Sequence, residues 1–171
     1  GYVMPDIVHS TVQTVSSSWA IVTPPQPQKL WKDAALIWEN SKDYLYARTT
    51  RAGRIIIGGE DSEVDVEPEA RDRLIPEKSA ILTKKLAALW PHANTEIEFR
   101  WAGAFDTTSD GLPLIGPVPG QKGIYAAYGY GGNGITFSFM AAQLIGDLIA
   151  GTSSPLLRDF ALDRDGGAVV Q

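Results

Sequence analysis

Residues 123–136 read Gly123-Ile124-Tyr125-Ala126-Ala127-Tyr128-Gly129-Tyr130-Gly131-Gly132-Asn133-Gly134-Ile135-Thr136. The first six are a short, largely apolar run that predicts a strand. Directly after this stretch, Phe137, Met140, Ala141, Leu144, Ile145 and Leu148 recur at i, i+3, i+4, i+7, i+8 and i+11, an amphipathic helix that Gly151 is placed to cap. Four glycines between positions 129 and 134, at a strand-to-helix junction, are costly in chain entropy. Two readings explain them: a tight βα turn, or a backbone that lies close to a ligand. For the second, the first N–H groups of the helix lack internal partners and carry the positive end of its dipole, which favours an electron-rich ligand atom. Gly129, Gly131 and Gly134 match the dinucleotide spacing, but no acidic residue closes a following strand about 20 positions on, so that fingerprint is incomplete.

Working outward, Trp19 to Thr23 is a β-type run entered through polar residues 10–18 and stopped by Pro24-Pro25. Tyr44 to Arg48 and Arg54 to Gly59 flank a Gly-containing loop and predict a hairpin, whose unbroken Ile55 to Ile57 run implies cover on both faces. Pro76, Leu82, Leu86, Leu89 and Pro91 mark a helix with its start and stop. Glu96 to Trp101 alternates polar and apolar, the pattern of a strand half-buried against a core. The fold class is therefore α+β or α/β rather than all-α or all-β, and the tail after Arg164 is expected to fray. The start, Gly1 to Asp6, has no signal-peptide pattern and suggests a piece of a longer chain.

The composition excludes much. Fifteen basic against 20 acidic residues, a net charge of −5 and no basic run argue against a nucleic-acid partner. The absence of cysteine removes disulfides, thiolate metal sites and a thiol nucleophile. His9 and His92 are isolated, and no G-x-S-x-G elbow accompanies Ser138, so neither a histidine metal cluster nor a serine hydrolase is indicated. No apolar stretch is long enough to span a membrane, and a cytoplasmic location is expected. The five tryptophans, at 19, 31, 38, 90 and 101, are expected to be packing residues.

Four blocks together carry a family resemblance. They are Trp101-Ala102-Gly103, Thr108 to Gly116 (TSDGLPLIG), Gly129 to Thr136 (GYGGNGIT) and Phe160 to Arg164 (FALDR). In this order they resemble the C-terminal part of the D-amino-acid-oxidase-like flavoenzymes, which include glycine oxidase, sarcosine oxidase and γ-glutamylputrescine oxidase. Tyr44 to Asp61 is similar to that family's substrate-domain hairpin, and Gly1-Tyr2 to the end of its last N-terminal flavin-domain strand. The resemblance implies a portion of a two-domain flavoenzyme: residues 1–102 from a mixed or antiparallel substrate domain, and 103–171 completing an α/β FAD domain. It implies that Tyr130, Gly131, Gly132, Asn133, Gly134, Ile135 and Thr136 line the isoalloxazine of FAD, with the helix N-terminus at its N1–C2=O edge. The rest of the FAD domain, including the segment that holds the ADP half, is then an expected partner. No cysteine is present to tether the flavin.

The sequence also departs from the family. Where amino-acid-oxidising members carry a carboxylate-binding arginine after Trp-x-Gly, this chain has Phe105, and at a second cationic position it has Gly132. A bidentate guanidinium is the usual carboxylate clamp, so a primary or secondary amine, or an amino acid held by another residue, is favoured as substrate over a simple α-amino acid. Phe105 and Tyr130 are candidate substrate-binding residues, with Arg48, and less directly Arg100, as substitute cations. Tyr44 and Tyr46 could supply an aromatic wall for an ammonium, and Asp106 is either a pocket residue or a turn former. The expected chemistry is oxidation of a C–N bond to an imine. The alternative is a non-catalytic binding module that keeps the glycine loop.

Overall fold

The computed structural model describes residue 8 and residues 12–41, 44–63 and 67–164. The readings of Gly1 to Asp6, His9, part of the polar entry and the tail after Arg164 lie outside these residues. The chain divides into two compact units, one of Ser16–Ala104 and one that joins the described residues up to Val15 to those from Phe105 onward. The divisions fall inside two strands.

The strands β1 (Gln13–Val22), β2 (Ile37–Trp38), β3 (Leu45–Thr49), β4 (Ile55–Ser62) and β5 (Phe99–Thr108) form one sheet in the order β2-β3-β4-β1-β5. The expected hairpin is β3 with β4, antiparallel, with Ala47 opposite Ile57. It closes through Gly53, whose φ of +74° only glycine adopts without strain. β1 starts earlier than its β-branched run suggests. Residues 13–18 are strand because they pair with neighbours, which overrides the weak β-propensity of Ser16 to Ser18.

The helices α1 (Pro68–Arg73) and α2 (Ile75–Leu89) follow β4, with Pro76 in the first turn of α2. Leu82 and Leu86, both fully buried, seal a core of Trp19, Ile21, Leu45, Ala47, Ile55 and Ile57 on one face of the sheet. Trp31 and Trp90 pack on that core with ring centroids 4.5 Å apart. Trp38 is 60% exposed and Trp101 45%, so these two are not the packing residues their type suggested. The alternation from Glu96 also misled: the strand begins at Phe99, and Phe99 and Trp101 are exposed. β5 is an edge strand, and among the described residues nothing covers that row of side chains.

In the other unit, β6 (Leu114–Pro117) and β7 (Tyr125–Tyr128) pair antiparallel, and α3 (Gly134–Ile149) packs on them. α4 (Leu156–Asp159) leads to Phe160 and Leu162, which fill two small cores with Ile115, Ala141 and Leu144 and with Val8, Val12 and Leu114. The helix α3 buries the face its spacing predicts and ends where Gly151 takes a φ of +85°. Its opposite face is also apolar: Ile135 is 92% exposed, and Phe139 and Ile149 are each 68% exposed.

Arg164 ties the end of the described chain to the Asp110-Gly111 turn. Its Nε and Nη2 donate to Asp110 at 2.8 and 2.9 Å, and further N–H groups reach the Leu112 and Pro113 carbonyls. Both side chains are about one-tenth exposed, at 9% and 11%. The Arg164 guanidinium holds the Asp110 carboxyl down at about 2. Because the folded value lies below the unfolded one, the pair's stabilisation is complete above the usual carboxylate range and lost as pH falls towards 2. Acid titration of unfolding should therefore show a loss of about 2 kcal/mol between about pH 4 and pH 2 from this site.

Candidate functional site

The glycine loop sits between β7 and α3. Gly129 has φ +74° and Gly131 φ +52°, so both need a left-handed backbone. A Cβ on Gly129 would also lie 2.9 Å from the Thr108 methyl. Gly132 and Gly134 are different, because neither has positive φ and a Cβ on either would meet nothing within 4 Å. Among the described residues nothing packs where a Cβ at those two places would lie, so the backbone there is open.

Residues Gly131–Asn133 form a single 3-10 turn, and α3 begins at Gly134 with no side-chain cap from Asn133. No side chain among the described residues caps the first N–H groups of this 16-residue helix. The loop therefore fits a flavin ring: open glycines for its face, and uncapped donors with the positive dipole end for its electron-rich edge. Ile135 and Thr136 lie exposed on the first turn. Tyr130 is half-buried, its ring centroid 6.2 Å from that of Phe137, and burial pushes its phenol up, so it stays protonated.

Asp106, which sequence left as pocket residue or turn former, anchors this loop. It is 6% exposed on β5. Its Oδ2 accepts the Gly129 N–H at 3.0 Å and the Gln13 side-chain amide at 2.9 Å. The neighbouring Phe105 is half-buried on the same strand of the same unit. Arg48 is exposed on β3 and belongs to the other unit, as does Arg100. On that unit's sheet Tyr44 donates its hydroxyl to Asp61 at 2.6 Å, a pair that sequence reasoning missed because 17 positions separate them. Among the described residues no group of three His, Cys, Asp or Glu could hold a metal, and no helix is long and apolar enough to cross a membrane.

Over 110 residues the chain is 36% identical to glycine oxidase of Pseudomonas aeruginosa, covering 62% of this chain and 28% of that protein. It is 32% identical over 124 residues to D-amino acid dehydrogenase of Rhizobium johnstonii, covering 72% and 29%. The crystal structure of glycine oxidase from Geobacillus kaustophilus shares the fold, with a TM-score of 0.74 at 24% identity over 92% of this chain and 41% of that one. The chain thus spans less than a third of the length of these two curated relatives. The mixed fold, the open glycine loop and the match of residues 3–148 to the DAO family together place this chain in the family of FAD dependent oxidoreductases.

Proposed function

We propose that the chain is the part of an FAD-dependent amine or amino-acid oxidoreductase that holds the redox face of the flavin and part of the substrate site. The observation that carries this is the loop at 129–134, where two glycines face open space beside an uncapped helix N-terminus. The unit containing residues 105–164 is read as flavin-domain portion, and Ser16–Ala104 as substrate-domain portion. When bound, FAD supplies the acceptor for the hydrogen and electron pair leaving the substrate carbon that bears nitrogen.

This chain's own residues do the rest. Tyr130 to Thr136 orient the ring, and the donors at the start of α3 stabilise negative charge on its edge by roughly 0.3–1 kcal/mol, more where buried. The Asp106 carboxylate fixes the loop's first residue so that these donors are preset. Phe105 offers a hydrocarbon wall where a carboxylate would need a cation, which favours an amine substrate. The small-molecule substrate, the remainder of the flavin domain as partner and a cytoplasmic setting belong to the same proposal. The exposed apolar side of α3, together with the chain's partial coverage of its relatives, supports the need for that remainder.

The test is anaerobic mixing of the full-length flavoprotein with a panel of amines and amino acids. Bleaching of the oxidised flavin band by amines, with formation of the carbonyl product after hydrolysis, is expected. A flavin unchanged by every amine and amino acid tried would remove the reading.

A further inference from the structure

The helix α3 carries a second stripe that its packing on β6 and β7 does not use. Ile135, Phe139, Ala142, Gly146 and Ile149 follow one another at i, i+4, i+7, i+11 and i+14, the alternating spacing of a seam between two helices, and all five are exposed. Ala141 and Leu144, which pack with Ile115 and Phe160, lie on the opposite side of the helix. Asp147 is the single charged residue in Gly134–Ile149. A helix apolar on two opposite sides is an interior helix, with protein against each.

Gly146 defines what lies against the second side. It does not take a positive φ, and a Cβ there would meet nothing within 4 Å, so neither its own conformation nor the described residues require a glycine. A glycine in mid-helix is destabilising relative to alanine, and is explained where another backbone comes close. With Ala142 it leaves a hollow in the seam between Phe139 and Ile149. The same unit has a second incompleteness: β6 and β7 form a sheet of two strands, too few to support a long helix alone. A second copy of the chain would cover the helix and leave the sheet as short as before. The rest of one domain supplies both, and the chain covers only 41% of the glycine oxidase structure whose fold it shares.

We propose that the outer stripe of α3 packs lengthwise against a helix from the part of the flavin domain that lies outside this chain, and that a large apolar side chain of that helix enters the hollow at Ala142 and Gly146. Resting on the oxidoreductase reading, this names the element that α3 needs: a helix of about four turns, apolar at alternating spacings of three and four, crossing α3 at about 20°.

Photo-crosslinking in the full-length flavoprotein identifies the occupant. With p-benzoylphenylalanine in place of Phe139, or of Ile149 where the first variant does not fold, mass spectrometry is expected to find the crosslink on a peptide from outside these 171 residues. A crosslink to a peptide within them, from the same chain or a second copy, overturns the proposal, and so does the absence of any crosslink. Thermal unfolding checks the hollow by the sign of the change. Gly146→Leu should lower the midpoint by at least about 5 °C, because the added side chain overpacks the contact. On a stripe facing solvent the same substitution improves helix propensity, so a midpoint unmoved or raised also overturns the proposal. If the crosslink and the lowered midpoint are found but no amine bleaches the flavin, the helix contact stands and the oxidoreductase reading fails.

Discussion

Arg164→Ala should lower the free energy of unfolding by about 3–5 kcal/mol, the range for removing one member of a buried, hydrogen-bonded ion pair. The arginine occupies a position that only a planar fork fills, meeting both oxygens of Asp110 and the carbonyls of Leu112 and Pro113. Alanine would leave a carboxylate that is 11% exposed without its cation, and would release the segment that inserts Phe160 and Leu162 into their cores. Arg164→Lys keeps the charge but not the fork, and should recover less than half of the loss. Urea unfolding gives the magnitude. Its pH dependence gives the cause: in the alanine variant the acid-labile increment between about pH 4 and pH 2 should vanish, because Asp110 then titrates near its ordinary value. A loss below about 1 kcal/mol, or an unchanged acid limb, would show that the pair does not hold this end of the chain.

Asp106→Ala should cost about 3 kcal/mol of stability and at least tenfold in flavin affinity. Two donors, the Gly129 N–H and the Gln13 amide, lose one charged acceptor, and hydrogen bonds to charged groups are each worth about 1.5–3 kcal/mol. The Gly129 bond lies in the buried interior, so water does not readily replace the lost acceptor. Freed from this tether, the loop no longer presets the open glycines and the first donors of α3. Asp106→Asn retains an oxygen in the same place and should restore most of the flavin binding, which separates positioning from charge. Equilibrium dialysis of FAD against the full-length variants, with unfolding curves alongside, measures both effects. Flavin affinity equal to that of the unaltered protein in Asp106→Ala would mean that the loop is fixed by its glycines alone.

The elements that were legible in the sequence are those whose pattern is local. The buried face of α3, the hairpin through Gly53 and the first turn of α2 at Pro76 follow from spacing and from the conformational limits of glycine and proline. The failures share a different cause. Phe99 and Trp101 alternate like buried strand residues, yet they lie on an edge strand with nothing described above them, because alternation marks a possible face and not the presence of a cover. The exposed side of α3 was hidden by the strength of its buried side, since Ile135, Phe139 and Ile149 sit outside the six-residue pattern that defines the helix.

At the candidate site, the sequence by itself determined the backbone: a glycine-rich loop between a strand and a long helix, with uncapped donors at its start, in a chain whose motifs match FAD dependent oxidoreductases. Tertiary structure alone decided which charged and polar groups pair within each unit. Asp106 meets Gly129 across 23 positions, Arg164 meets Asp110 across 54, and Tyr44 meets Asp61 across 17. Backbone preferences and hydrophobic periods act over a turn or a pleat, so they are written in neighbouring residues. Which carboxylate finds which partner is set by strand register and side-chain packing that only the folded chain brings together.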